Sequence, residues 1–417
     1  MNSKILTVGD EILIGQIVNT NAAFLGDVLF NTGLPVEKSV TIGDDEKILI
    51  DELQDSLYNY DVTIITGGLG PTHDDITKPV LLKFFKDKLI LDEKVLEHVK
   101  KIFSTRNVPM PETNIGQAMV PSKSKVIWNE NGTAPGIWIE KANKVFVALP
   151  GVPYEMKAMI SDTVVPMLKE KYLKDLGYVL KQKTLLTTGV GESILNEMMG
   201  DVPSIIGEDK LAFLPSIEGV RLRINVKADT EENASQRISE IESKIREKIG
   251  EHIFGEGEEI LEEIIGKLLT KKKFSIAVAE SCTGGMISSR ITDVSGSSEY
   301  FKGGMVTYSN KSKVKFLDVK KKTLTKYGAV SEKTAKQMAE GVRRHFKTDI
   351  GISTTGIAGP TGGSDEKPVG LVYIGYSDKK NTFAKKFLFG NFRDRNKKRA
   401  AQMALEIVRK ELLKLQI

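Results

Sequence analysis

Sulfur and imidazole are scarce in this chain. A single cysteine, Cys282, stands among 417 residues, which excludes an intrachain disulfide framework and any zinc cage built from several thiolates. The four histidines, His73, His98, His252 and His345, lie in separate regions without ligand-like spacing and leave histidine-assisted hydrolysis without support. No stretch approaches the roughly 18 uninterrupted apolar residues that a membrane helix needs, so no membrane partner is expected. Met1-Asn2-Ser3-Lys4 runs into a short strand-like patch and then Asp10-Glu11, not the apolar core of a signal peptide, so the cytoplasm is the expected location. A Gly-x-x-x-x-Gly-Lys-Ser/Thr loop is also missing, which disfavours an ordinary P-loop. Net charge is only +5, and the runs Lys271–Lys273 and Lys320–Lys322 read as solvated faces; nucleic acid is not expected as a partner.

What is present is ordinary globular composition, 40% hydrophobic and 28% charged, in a chain long enough for roughly two to four domains, of which three are expected. Residues 4–8 read as a buried strand, followed by the turn Gly9-Asp10-Glu11 and a helix with Phe24, Leu25, Val28 and Leu29 on one face, ended by Gly33. Leu34 to Ile42 and Val62 to Thr66 make two further strands, with a helix bearing Ile48, Leu49, Leu53 and Leu57 between them. This βαβαβ rhythm predicts a parallel sheet flanked by helices, whose ligands collect beyond the strands' carboxyl ends. Three loops leave those ends: Gly9-Asp10-Glu11, Gly43-Asp44-Asp45 and Gly67 to Asp75. Their glycines permit close backbone approach, and their carboxylates suit a hard cation such as Mg²⁺ that bridges phosphates. Helix capping by Asp74 and Asp75 is the competing reading.

Near residues 166–180 the pattern loosens into lysine-rich sequence, a domain boundary. Beyond it a strand at 185–188, a short helix at 193–199, an alternating strand at 220–228 and a helix striped by Ile238, Ile241, Ile245 and Ile249 predict a small antiparallel α+β module. After Gly255-Glu256-Gly257, α/β alternation resumes with a strand at 274–279, a helix from Ser331, strands at 349–354, 369–377 and 382–389, and a final helix. The first of these strands ends in Glu280-Ser281-Cys282-Thr283-Gly284-Gly285, a strand-to-helix corner that can place a hydroxyl beside unpartnered amides. Taken alone, the corner fits a helix cap as well as a nucleophile. A serine needs a base, and Thr307 to Lys313 supplies Tyr308, Lys311 and Lys313; a lysine serves only when burial or a neighbouring cation lowers its pKa.

Ordered motifs along the whole chain resemble the CinA family. Thr7 to Leu13, Gln16 to Asn21, Gly67 to Asp75 and Leu149 to Pro153 are similar to its molybdopterin-binding-type first domain, over residues 1–168. The corner at 279–285, Val306 to Asn310, Gly328 to Ser331, Gly356 to Pro360 and Glu366 to Gly370 resemble its carboxy-terminal nicotinamide-nucleotide amidase domain, over 256–417. A KH-like domain stands between them in the family, here 175–253, although no Gly-x-x-Gly clamp occurs there. The resemblance implies an α/β protein that deamidates nicotinamide mononucleotide without a cofactor and, with a divalent metal, hydrolyses ADP-ribose to AMP and ribose 5-phosphate. A homodimer is the expected assembly. For the amidase site it implies Ser281 as nucleophile, assisted by Lys313 and Tyr308, with Thr355 at the small hydroxyl position. It places Cys282, Thr283, Gly284, Gly285 and Gly356 around the substrate, and Arg393 and Arg399 in its phosphate-binding basic cluster. At the first site it implies Glu11, Asn19, Gly67, Gly68, Gly70, Thr72 and Gly151 for the ligand and Asp44, Asp74 and Asp75 for the metal. An accessory protein of competence or DNA damage that binds a nucleotide or molybdopterin without turnover at the first site stands beside that reading.

Overall fold

A computed structural model describes residues 1–172 and 177–415. They gather into two compact units, residues 1–181 with 226–236, and residues 182–225 with 237–417. The boundary expected between 168 and 175 falls partly outside the described residues; helix Val165–Tyr172 runs up to it.

The first unit is built on β1 (Ser3–Val8), α1 (Thr20–Asn31), β2 (Val36–Ile42), α2 (Glu46–Asn59), β3 (Val62–Thr66), α3 (Thr77–Phe85), β4 (Lys125–Ile127), β5 (Gly136–Lys141), β6 (Lys144–Leu149) and α4 (Pro153–Met159). Their sheet has the order β2-β1-β3-β6-β5-β4. Strands β2, β1, β3 and β6 run parallel, whereas β5 and β4 are antiparallel. Every residue of β1 and β3 is buried, because helices cover both faces of the sheet. Leu25, Leu29, Met156 and Met159 pack on one face, and Leu49, Leu53, Val80 and Leu81 on the other. From β1 the chain goes outward to β2 and then crosses to β3 on the opposite side, which opens a crevice at the carboxyl ends of β1 and β3. Helix α3 starts at Thr77, with Asp74 and Asp75 in the preceding turn.

The second unit holds the last α/β sheet and most of the antiparallel module, whose residues 179–181 and 226–236 are counted with the first. Strands β7 (Val179–Thr187), β8 (Lys210–Pro215), β9 (Val220–Ala228) and β10 (Ile253–Glu256) are ordered β8-β9-β7-β10, with α5 (Glu231–Ile249) between β9 and β10 in the chain. After α6 (Leu261–Lys272) come β11 (Ile276–Glu280), α7 (Met286–Thr292), β12 (Phe301–Val306), α8 (Asn310–Leu317), α9 (Glu332–Phe346), β13 (Ile350–Gly356), β14 (Leu371–Ser377), β15 (Thr382–Leu388) and α10 (Arg393–Lys414). This sheet is ordered β12-β11-β13-β14-β15, and β11 lies parallel to both neighbours. The chain leaves β11 for β12 on one side and reaches β13 on the other, so a second crevice opens beyond Glu280. The two modules of this unit are tied by Gln402 Nε2 to Thr188 Oγ1 (3.0 Å) and Arg409 Nη2 to the Glu251 carbonyl (2.8 Å). Among the described residues no helix is long and apolar enough to cross a membrane.

Gly67, which follows β3, has φ 98°, and a Cβ there would lie 2.1 Å from the Val8 carbonyl oxygen. Backbone cannot yield as a flexible side chain does, so Gly67→Ala is expected to cost about 1–3 kcal/mol. Thermal unfolding of the first unit should move down by several degrees; an unchanged transition would contradict this geometry.

Candidate functional sites

At the second crevice, β11 ends in Glu280, whose fully buried carboxylate accepts from the amides of Gly285 (2.9 Å) and Ser288 (2.9 Å) and from Ser288 Oγ (2.8 Å). Negative charge at a helix N-terminus is favourable, and here it fastens α7 to the strand. The turn between them carries Gly284 at φ 66° and Gly285 at φ 99°, conformations that side chains rarely adopt. Ser281 sits on this turn, 8% exposed, held by its own amide to the Thr354 carbonyl at 3.0 Å.

Lys313 on α8 reaches it from the other side of the crevice. Its Nζ donates to Ser281 Oγ at 3.0 Å and to the carbonyls of Thr307 (2.7 Å) and Tyr308 (3.3 Å), with the side chain 1% exposed. Burial pushes its pKa down to about 8, within reach of a neutral amine at physiological pH. Among the described residues no carboxylate pairs with the lysine. Cys282 is its opposite: burial in the apolar core pushes the thiol up to about 12, which disfavours the thiolate that a nucleophile needs.

Two residues stand elsewhere than expected. Tyr308 is 63% exposed, and its hydroxyl accepts from Arg393 Nη2 at 3.3 Å; only its main-chain oxygen meets Lys313. Thr355 turns away, donating to the Ala329 carbonyl at 2.8 Å, while the preceding Thr354 bonds Thr283 Oγ1 at 2.7 Å. Successive strand residues face opposite ways, so one position decides which threonine serves the corner. Gly356 closes β13 with its Cα packed against the Leu371 carbonyl, 2.6 Å from where a Cβ would lie. Arg393 also donates to the Gly359 carbonyl at 2.9 Å, and Arg399 lies exposed further along α10. Sequence reasoning missed Lys397, whose Nζ comes within 3.8 Å of a Cβ position on Gly284. It lies within the basic cluster from Arg393 to Arg399, in which the resemblance singles out only Arg393 and Arg399.

The first crevice is a cleft of about 500 Å³ lined by Glu11, Asn19, Asp44, Gly67, Gly68, Gly70, Asp74, Asp75 and Gly151 among others. Thr72 is not among its lining residues. Much of the loop is self-satisfied: Gly67 N bonds the Leu149 carbonyl (3.1 Å), while Gly70 N (2.7 Å) and Thr72 N (2.8 Å) bond Asp75. Asp75 therefore serves its own turn. Asp74 is exposed, with its carboxyl held below the usual range by the Thr72 hydroxyl and its own amide. Asp44 behaves differently, its carboxyl raised by desolvation and by repulsion from Asp10, Glu11 and Asp74. Among the described residues no three carboxylate, histidine or cysteine side chains gather as a metal cage. What these donors fit is a cation held by one or two carboxylates and completed by a ligand's phosphates. Asn19 caps α1 by accepting from Ala22 N at 2.9 Å. The neighbouring Asn21 and Thr66, not singled out in the sequence, line the cleft and keep Asn21 Oδ1 and Thr66 Oγ1 without a partner.

Residues 4–170 match the probable molybdopterin binding domain family, 182–255 the damage-inducible protein CinA KH domain, and 258–412 the CinA C-terminal domain. The chain is similar to a CinA-like protein of Flavobacterium psychrophilum, 46% identical over 420 residues and covering 99% of each. A putative competence-damage inducible protein of Alkaliphilus metalliredigens is 44% identical over 415 residues, covering 100% of each. Among solved structures, a competence/damage inducible protein from Agrobacterium tumefaciens aligns at 38% identity over 37% of this chain and 94% of its own, with a TM-score of 0.36.

The neutral fraction of Lys313 grows as pH rises through about 8, the value burial sets. Labelling of Ser281 by a fluorophosphonate is therefore expected to rise through that pH and to vanish in Lys313→Met. A pH-independent labelling rate, or labelling that survives in Lys313→Met, would show that the lysine does not activate the serine.

Proposed function

Because the chain belongs to the CinA family by its full-length likeness to the curated relatives, we propose that it is a two-site hydrolase of pyridine-nucleotide metabolites. The observation that carries the reading is the buried 3.0 Å contact between Lys313 Nζ and Ser281 Oγ, with no histidine in that constellation. Neutral Lys313 takes the serine proton while Oγ attacks the carboxamide carbon of nicotinamide mononucleotide. Amides of the Cys282–Gly284 turn face the developing oxyanion, a contribution typically worth about 3–4 kcal/mol per donor. The ammonium of Lys313 returns its proton to the departing nitrogen, and ammonia leaves. Water then opens the acyl-serine to the nicotinate carboxylate, with Lys313 again the base. Arg393, steadied by the Tyr308 hydroxyl and the Gly359 carbonyl, binds the substrate phosphate at the exposed rim. In this arrangement Tyr308 orients an arginine and the lysine alone handles the proton.

The first cleft takes a nucleoside diphosphate sugar, ADP-ribose. Its diphosphate lies against the Gly67–Gly70 loop at the carboxyl ends of β1 and β3. A divalent cation, when bound, would rest on Asp44 and the phosphates and neutralise their charge. A binding-only role at this cleft, with molybdopterin or a nucleotide, is the second reading, favoured by the loop amides already satisfied within the chain.

Separate assays with the two substrates test both sites. Ser281→Ala is expected to lower ammonia release at least about a thousandfold while leaving AMP formation from ADP-ribose intact. Chelation of divalent metal should do the reverse. Full ammonia release by Ser281→Ala would remove the serine, and loss of it in Cys282→Ala would restore the thiol as a candidate.

A further inference from the structure

One buried carboxylate of the first cleft has no role in the binding just described. Glu155 lies on α4, 8% exposed, and lines the cleft together with Thr133, Gly67 and Gly68. Its Oε2 accepts from Asn129 Nδ2 at 2.7 Å, and its two oxygens press on Gly132, 2.1 and 2.6 Å from where a Cβ would stand. Asn129 is itself immobilised: it is 3% exposed, its Nδ2 also donates to the Ala134 carbonyl (2.9 Å), its Oδ1 accepts from Asn131 N (3.1 Å), and its carbonyl meets His98 Nε2 at 2.8 Å. The amide orientation is fixed by these partners, because the Ala134 carbonyl can only accept and the Asn131 amide can only donate. Among the described residues Oε1 takes no hydrogen bond, yet it is not among the buried polar atoms sealed from solvent. Among the described residues no lysine or arginine pairs with the carboxylate.

We propose that Glu155 is the general base of the first site, positioned by Asn129 to take a proton from the water that attacks a phosphoanhydride. This rests on the reading of the cleft as a diphosphate hydrolase. Water oxygen bonds to one phosphorus, its proton passes to Glu155 Oε1, and the bridging P–O bond breaks, with the electron pair leaving on the departing phosphate. The proton on Glu155 then returns to solvent or to that phosphate, restoring the carboxylate. A base needs one oxygen held and one presented, and Glu155 has that division. A purely structural part, favourable charge in the first turn of α4, is the competing account.

Glu155→Gln separates the two, because a carboxamide oxygen still accepts from Asn129 Nδ2 but takes no proton. With the full-length chain and Mg²⁺, kcat for ADP-ribose should fall at least about a hundredfold while its Kd by calorimetry stays within about threefold. Ammonia release at Ser281 in the same preparation reports that the chain is folded. Glu155→Asp, a carboxylate set one methylene back, should recover part of kcat. Wild-type turnover by Glu155→Gln overturns the proposal, as does a loss confined to affinity. If the wild-type chain hydrolyses neither ADP-ribose nor inorganic pyrophosphate, both the diphosphate-hydrolase reading and the base assignment fall; activity retained in Glu155→Gln defeats the assignment alone.

Discussion

In a parallel sheet every strand needs a crossover to reach its neighbour, and where consecutive crossovers leave in opposite directions a gap is unavoidable at the carboxyl edge. This chain contains that gap twice. In the first unit it lies between the ends of β1 and β3, and in the second at the end of β11, flanked by β12 and β13. At both gaps glycines with positive φ turn the chain sharply, Gly67 and Gly68 in one, Gly284 and Gly285 in the other. The candidate residues of each site are those that the gap brings to one point.

The second gap is chemically the more committed. Among the described residues desolvated Lys313 has no carboxylate partner, and it donates to a hydroxyl and two carbonyl oxygens. Charged lysine in such surroundings is costly, and the cost appears as a proton held loosely enough to be given up near pH 8. The same burial acts on Cys282 in the other direction, because there the charged form is the deprotonated one. One environment thus arms an amine and silences a thiol a residue from the serine. The first gap is less closed, and its carboxylates diverge in use: Asp75 fastens its own turn, Asp44 is left under mutual repulsion, and Glu155 is clamped by a buried asparagine.

Much of this was legible along the chain. Strand periodicity located the elements that carry the sites to within a few residues, and Val220–Ala228 to the residue, since alternation follows directly from the pleat. Histidine scarcity and the Thr307–Lys313 segment pointed to a lysine beside Ser281. Less legible was the side of an element on which a group falls. Thr355 and Thr354 are adjacent and chemically alike, yet only Thr354 meets the corner. Asn19 and Asn21 divide in the same way, one spent on a helix cap and the other tied to the Gly151 carbonyl with its buried oxygen unpartnered.

Composition and pattern by themselves determined the α/β class, the antiparallel module between two glycine-cornered regions, and the residue types available for chemistry, because these depend on local periodicity and on which side chains exist at all. Tertiary structure alone decided which of those side chains meet and what charge they carry. Lys313 lies 32 residues from Ser281 and Glu155 26 residues from Asn129, distances that only the packed sheet closes. Proton affinity likewise depends on burial from every side, and burial belongs to no single stretch of chain.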